Sequence, residues 1–352
     1  MRLPNRSWFI LAAIGLLLGV GFRYLFDDTS EASVANYLRS GFHGIGIALS
    51  AWAVQLYFTS RNSHWVRKWP LVVELVIRSL AMAIVVAAVA IGLEAVLNPR
   101  PIGSSWFATD LPRIVGLAFT VSVVTGAILE LARLVGGRVL INVVVGRYRR
   151  PAREQRVLLF LDLAGSTSLA ESLGELRTHD LLTRFFYDID DVITAHNGEV
   201  HAYVGDEVIV TWPATKSSAR QSIACVFAIE DRIRQRANIY LDEFGLVPNF
   251  RAGLHVGPVI ISECGDSRRQ IAYFGDTMNV TARIQEQCKL AGRALLVSAD
   301  LLNIANDGTD LVTEALGPTQ LRGRQAVVEI FAVKRQHAAE VRGFPAPAER
   351  AI

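Results

Sequence analysis

A helical membrane part followed by an α+β sheet domain is the fold class predicted, and three observations predict it. Hydrophobic residues make up 51% of the 352 residues and the mean hydropathy is +0.31, too apolar for an ordinary soluble surface. The excess lies in the first ~135 residues, while the remainder alternates short apolar runs with charged helical patterns in the usual globular proportion. Two of those later apolar runs lead into an acid close to a glycine turn, the pattern of strands delivering side chains to a sheet edge.

Four apolar stretches, about Trp8 to Phe26, Phe42 to Phe58, Trp69 to Leu97 and Leu111 to Val135, have roughly the ~20-residue length that crosses a ~30 Å hydrocarbon layer. Arg2 and Arg6 also suit the basic flank of a signal peptide, but three further segments follow, which favours an anchor. Arg61, Arg67 and Lys68 follow the second stretch, and Arg138, Arg147, Arg149, Arg150 and Arg153 follow the fourth. The connection after the first stretch holds Asp27, Asp28 and Glu31. The positive-inside rule then places both termini in the cytoplasm. The expectation is a multi-pass protein of the cell inner (plasma) membrane, with the lipid bilayer as a partner and the second half cytoplasmic.

Glu74 and Arg78 stand four apart in the third stretch, on one helical face, where pairing lowers the cost of burial. Arg78 is equally placed to snorkel to the interface, and no function is assigned to the pair. Cys225, Cys264 and Cys288 lack paired metal spacing and fall in the half expected to be cytoplasmic, where thiols stay reduced. The net charge of +3 comes mostly from residues flanking the apolar stretches, and no basic stripe with interleaved aromatics suggests nucleic acid.

"GGRVLINVVVGRYRRPARE", Gly136 to Glu154, is too short to fold alone and reads as a linker. The division expected is a membrane domain over 1–136, a linker over 137–154, a catalytic domain over 155–335 and a disordered tail over 336–352. Within the third part, strands are predicted at Arg156 to Leu163, as a pair over Glu199 to Pro213, near Phe250 to His255, before Gly275, at Ala294 to Ser298 and at Val327 to Val333. Helices fill Ser168 to Asn197, Ser217 to Phe244 and the stretch through Arg283 to Ala291. This is a mixed sheet domain large enough for one core.

"LFLDLAGSTSLAESLG" runs an apolar strand into Asp162, then turns through Gly165, Ser166 and Thr167 into a helix-like stretch. "VHAYVGDEVIVTW" sets Asp206 after Gly205, between two β-branched or aromatic runs, as a tight hairpin displays a side chain at its tip. If these strands are neighbours, the two carboxylates converge on a divalent metal; taken singly, each reads as a solvated turn acid. "FGDTMNVTARIQEQ" places Asn279 and Arg283 four apart on one helical face. Arg suits phosphoryl oxygens because its guanidinium is planar, always charged and donates in a fork. Alone, the pair also fits an ordinary surface helix.

Together, "FLDLAGST", "YVGDEVIV" and "GDTMNVTAR" resemble, in order and separation, the catalytic domain of the class III nucleotidyl cyclases, over roughly Gln155 to Arg335. "FRAGLHVGPVI" and "LRGRQAVVEIFAV" resemble the family's intervening and closing strands. The resemblance implies a ferredoxin-like βαββαβ core and a membrane-anchored adenylate cyclase of bacterial type, making 3′,5′-cyclic AMP and pyrophosphate from ATP. It implies that Asp162, Asp206 and the Leu163 carbonyl hold two Mg²⁺ or Mn²⁺ ions per site, and that the amides of Gly165, Ser166 and Thr167 face the triphosphate. Asn279 would orient the ribose, Arg283 would stabilise the transferring phosphoryl group, and Arg322 would contact the terminal phosphates. In the family the acids and the Asn/Arg pair of one site come from opposite subunits, so a homodimer is implied.

One departure concerns the base. Where adenylate-forming members carry a Lys and an Asp or Thr that read adenine, this chain has Ala202 and Ala272, which offer neither donor nor acceptor. ATP and GTP are therefore not told apart by these residues. Gln270, two positions before Ala272 and on the same strand face, is a candidate reader or simply an exposed strand residue. The alternatives are a guanylate cyclase of the same fold, an inactive membrane receptor or scaffold, a diguanylate cyclase and a transporter. "VGDEV" resembles the diguanylate cyclase hairpin only superficially, because its first glycine is here Val204. Few intramembrane polar residues argue against transport, and retention of Asp162, Asp206, Asn279 and Arg283 argues against an inactive scaffold.

Overall fold

The computed structural model describes residues 6–26, 34–59, 69–97, 103–135, 142, 145–266, 269–305, 311–319 and 327–335. The chain divides into two compact units, Met1–Gly137 and Arg138–Ile352.

The first unit holds helices α1 (Arg6–Phe26), α2 (Val34–Thr59), α3 (Leu71–Leu97) and α4 (Ser104–Val135), each packed against the next. Three of them, α1, α3 and α4, are long and apolar enough to cross a membrane. The second has the length, but Asn36, Arg39, His43 and Gln55 lower its apolarity. Helices α1 and α2 approach closely because Gly15, Gly19 and Gly44 face one another; a Cβ on Gly44 would collide with the Gly15 carbonyl. On α3 every fourth residue, Glu74, Arg78, Met82, Val86, Ala90 and Glu94, is buried, so one narrow stripe makes its contacts. The acidic connection after α1, the basic residues after α2 and Arg138 lie outside the described residues.

The second unit is a sheet with helices on both faces. Its elements are β1 (Ala152–Leu163), α5 (Ser166–Leu173), α6 (Glu175–Ala195), β2 (Glu199–Val204), β3 (Glu207–Pro213), α7 (Lys216–Gln235), α8 (Ala237–Phe244), β4 (Phe250–Cys264), β5 (Gln270–Phe274), α9 (Asp276–Ala291), β6 (Leu295–Ser298), α10 (Ala299–Ala305), β7 (Leu311–Thr319) and β8 (Val328–Arg335). The strand order is β2-β3-β1-β4-β6-β8-β7, with β5 paired to β4. The β1-helix-β2-β3-helix-β4 succession, with β1 between β3 and β4, is the ferredoxin-like core.

Strand periodicity sorts β1 into two cores. Val157, Leu159, Leu161 and Leu163 join Phe185, Ile189, Trp212 and Ile229 beneath α6 and α7. Leu158 and Phe160 face the other way, with Ile209, Val259 and Ile261, and Tyr148 and Met278 pack there. Helix α9 closes on that side, and its Val280 and Ile284 meet Leu296 and Ile330. Close approach is built into the strand: a Cβ on Gly253 would stand 2.5 Å from the Gln285 nitrogen. Strand β1 begins at Ala152, β4 runs on to Cys264, and α10 and β7 are further elements not expected from sequence patterning. The expected tail, 336–352, lies outside the described residues.

Candidate active site

The site is assembled where β1 ends. Asp162 and Leu163 are the last two residues of β1, and across the antiparallel ladder Asp162 is opposite Glu207 on β3 and Arg251 on β4. The β2–β3 connection is a two-residue turn in which Gly205 takes φ 64°, a left-handed conformation that glycine adopts without strain. That turn brings Asp206 over the end of β1: the Leu163 amide donates to the Asp206 carbonyl at 3.3 Å, and the Asp206 carboxylate lies close enough to Asp162 to raise it. The strands are thus neighbours, and the acids meet.

A carboxylate buried beside another acid is disfavoured in its charged form. Burial first, then the hydrogen bond to Asp206 and the charge of Asp206, pushes Asp162 up to about 7, opposed by Gln285 and Arg251. Burial, then Asp162 and Asp206, pushes Glu207 likewise up to about 7. Gln285 on α9 donates its Nε2 hydrogen to Asp162 Oδ2 at 3.4 Å. Such a crowd of acids with Arg251 as the facing cation is a donor set suited to a divalent ion. Among the described residues no three His, Cys, Asp or Glu side chains form a metal cage. Two carboxylates with a backbone carbonyl instead suit an ion that takes its remaining oxygens from a phosphate substrate.

Immediately after the acids, Gly165 takes φ 76° and α5 starts with no side-chain cap. The first-turn amides of an α-helix have no intrahelical acceptor, so Ser166 and Thr167 stand at a positive helix end beside Asp162.

Asn279 and Arg283 both lie on α9, the first exposed and the second half-buried. Neither side chain has a hydrogen-bond or ion-pair partner among the described residues. They leave α9 on a different side from Gln285: with ~100° per residue, Arg283 is about 200° from it. The structure therefore brings Asp162 and Asp206 together and keeps Asn279 and Arg283 together, but turns the second pair away from the first within one chain.

Ala202 is on β2 and Ala272 on β5, where Ala272 is opposite Ser262. The rings of His201 and Tyr273, the immediate neighbours of these alanines, stack with centroids 4.2 Å apart, which joins the two strands. Gln270 begins β5, opposite Cys264, and is exposed. Arg322 lies outside the described residues. Glu207, Arg251 and Gln285 were not singled out by sequence; the "GDE" triplet was the signal for Glu207, whereas the other two depend on strand register and helix packing.

The family model of the adenylate and guanylate cyclase catalytic domain matches residues 150–335, more than half of the chain. "Adenylate cyclase 2" of Rhizobium meliloti (strain 1021) is 40% identical over 198 residues, 56% of this chain and 54% of that protein. "Adenylate cyclase 1" of the same organism is 27% identical over 192 residues, 51% of this chain and 28% of that protein. The chain thus spans about half or less of these curated relatives. The solved structure of a bacterial light-regulated adenylyl cyclase superposes with a TM-score of 0.52 at 22% identity, covering 64% of this chain and 65% of that one, a likeness of fold.

Proposed function

We propose, since the chain belongs to the adenylate and guanylate cyclase catalytic-domain family, that it is a membrane-anchored homodimeric adenylate cyclase converting ATP to 3′,5′-cyclic AMP and pyrophosphate. The observation that carries the catalytic reading is the meeting of Asp162 and Asp206 at the end of β1, beside the uncapped start of α5. The choice of ATP rests on the name of the 40% identical relative.

Asp162, Asp206 and the Leu163 carbonyl would hold Mg²⁺ or Mn²⁺, two ions per site, which when bound neutralise phosphate charge and acidify the ribose hydroxyl. In the reaction the 3′ hydroxyl gives up its proton to water as its oxygen bonds to the α-phosphorus, the bond from that phosphorus to the bridging oxygen breaks, and pyrophosphate leaves. The amides of Gly165, Ser166 and Thr167 hold triphosphate oxygens at the positive end of α5. Arg283 donates to the equatorial oxygens of the transferring group, where charge builds in the transition state. Asn279 fixes the ribose, and Arg322 holds the terminal phosphates. Catalysis is then mostly positioning and electrostatics.

The orientation of α9 supports the homodimer. Arg283 and Asn279 are turned from their own chain's acids, so a second copy supplies the complementary set, giving two sites per dimer. The three apolar helices support the membrane anchor, and the basic residues after the second and fourth apolar stretches support a multi-pass protein of the inner (plasma) membrane with the catalytic unit in the cytoplasm.

The test is incubation of the purified full-length chain with ATP or GTP and Mn²⁺, followed by product identification. Cyclic AMP as the main product is expected. Preference for GTP would overturn the adenylate assignment, and Ala202 and Ala272 leave that choice to Gln270, backbone or water.

A further inference from the structure

The four-helix unit contains a cavity of about 740 Å³ that the cyclase reaction does not use. Its size lies within the ~300–1,000 Å³ of small-molecule sites. Polarity is graded along it. At one end stand Arg23 near the end of α1, Arg39 near the start of α2, Glu94 near the end of α3 and Asp110 near the start of α4. These helix ends gather at the side of the bundle remote from Val135, where α4 ends and the chain continues to the catalytic unit. Phe22, Ile47, Ile114 and Leu117 make apolar walls. Deeper in, Trp52, Gln55, Ser122 and Thr125 are polar without charge.

We infer that this cavity is a binding site for a neutral, lipid-soluble molecule with a carbonyl oxygen on an elongated apolar body. Two observations exclude a charged head. The lining carboxylates Glu94 and Asp110 balance Arg23 and Arg39. Glu94 already faces both Arg39, at 3.7 Å, and His43, at 3.3 Å. An anionic or cationic ligand meets a neutralised lining and loses its hydration without recompense. A neutral acceptor is favoured, because the indole N–H of Trp52 is buried with no acceptor among the described residues, and indole only donates. The apolar walls, within helices long enough to span a membrane, select a molecule that partitions into lipid. The deep end rests on α4, where Ser122 accepts a hydrogen bond from Ser79 at 3.3 Å. Occupancy therefore bears on the α3–α4 contact, in the helix that leads to the catalytic unit.

The test is equilibrium binding of radiolabelled decyl-benzoquinone, as the neutral carbonyl probe, to the full-length chain in phospholipid nanodiscs, with 2-dodecanone and decanoate as competitors. Saturable binding of one probe per chain is expected, displaced by the ketone and not by decanoate. Trp52→Phe should weaken it roughly tenfold, the effect of one lost buried hydrogen bond. Ala118→Phe, which fills the cavity, should abolish it while helical content and melting stay as in the parent. Non-saturable binding, unchanged binding in folded Ala118→Phe, or displacement by decanoate as strong as by the ketone would overturn the inference.

Discussion

Gln285 Nε2 donates to Asp162 Oδ2 across 3.4 Å, which ties α9, the helix bearing Asn279 and Arg283, to the strand-end acid of its own chain. The bond favours the charged form of Asp162 against the burial and the Asp206 carboxylate that raise it, and the charged form is the state in which it would serve as the proposed metal ligand. Gln285→Leu keeps the volume and removes the donor. The expected result is a roughly tenfold rise in the Mn²⁺ concentration that half-saturates cyclisation, in line with outer-sphere substitutions, with little change in kcat at saturation. An unchanged Mn²⁺ requirement would remove Gln285 from the account.

Asp162→Ala and Asp206→Ala should each reduce cyclisation by at least about a thousandfold, because on the proposed reading each removes a metal ligand and the charge stabilisation it would hold. The fold should persist, since deleting one acid relieves repulsion among Asp162, Asp206 and Glu207. Circular dichroism and melting beside the rate assay check both parts. Near-normal turnover in either variant would contradict the metal assignment.

Gly253→Ala tests how α9 is seated. The new Cβ would stand 2.5 Å from the Gln285 nitrogen, so helix or strand must shift. Overpacking of this kind costs about 1–3 kcal/mol, and the shift carries Asn279 and Arg283 with it. A lowered melting temperature together with lost activity is expected; a melting temperature equal to that of the parent would refute the close packing.

The thiols should separate by reactivity. Burial pushes Cys225 and Cys288 up to about 12, so both stay neutral through pH 8 to 10, and thiolate is the reactive form. Because these folded values are raised above the usual thiol range, their contribution to stability is present below about pH 9 and is lost as pH climbs towards 12. With a soluble thiol reagent at pH 8, Cys264, which is half-buried, should react first, and the other two only on denaturation. Rapid labelling of all three in the native chain would contradict the packing around α7 and α9.

Residues placed by local pattern were legible from sequence, and those placed by register were not. Asp162 and Asp206 were visible because each ends an apolar run beside a glycine turn, and Asn279 with Arg283 because a spacing of four survives any helix orientation. Arg251 and Gln285 reach Asp162 only through the β1–β4 register and the seating of α9 on Gly253. Strand β7 escaped notice because "LVTEALGPT" carries Gly317 and Pro318, which are tolerated only because it is the edge strand. The second apolar stretch starts at Phe42, whereas α2 begins at Val34, because the helix extends over the polar residues Asn36 and Arg39 that an apolar run does not include.

In the proposed homodimer each site draws its acids from one chain and its Asn/Arg pair from the other. Inactive Asp206→Ala and inactive Arg283→Ala chains, mixed under conditions where heterodimers are demonstrated, test it directly. In a heterodimer one site carries both lesions and the other carries neither. Cyclic AMP synthesis is expected to return, at about half the activity per heterodimer of the parent dimer. Heterodimers that remain as inactive as the separate variants would contradict it.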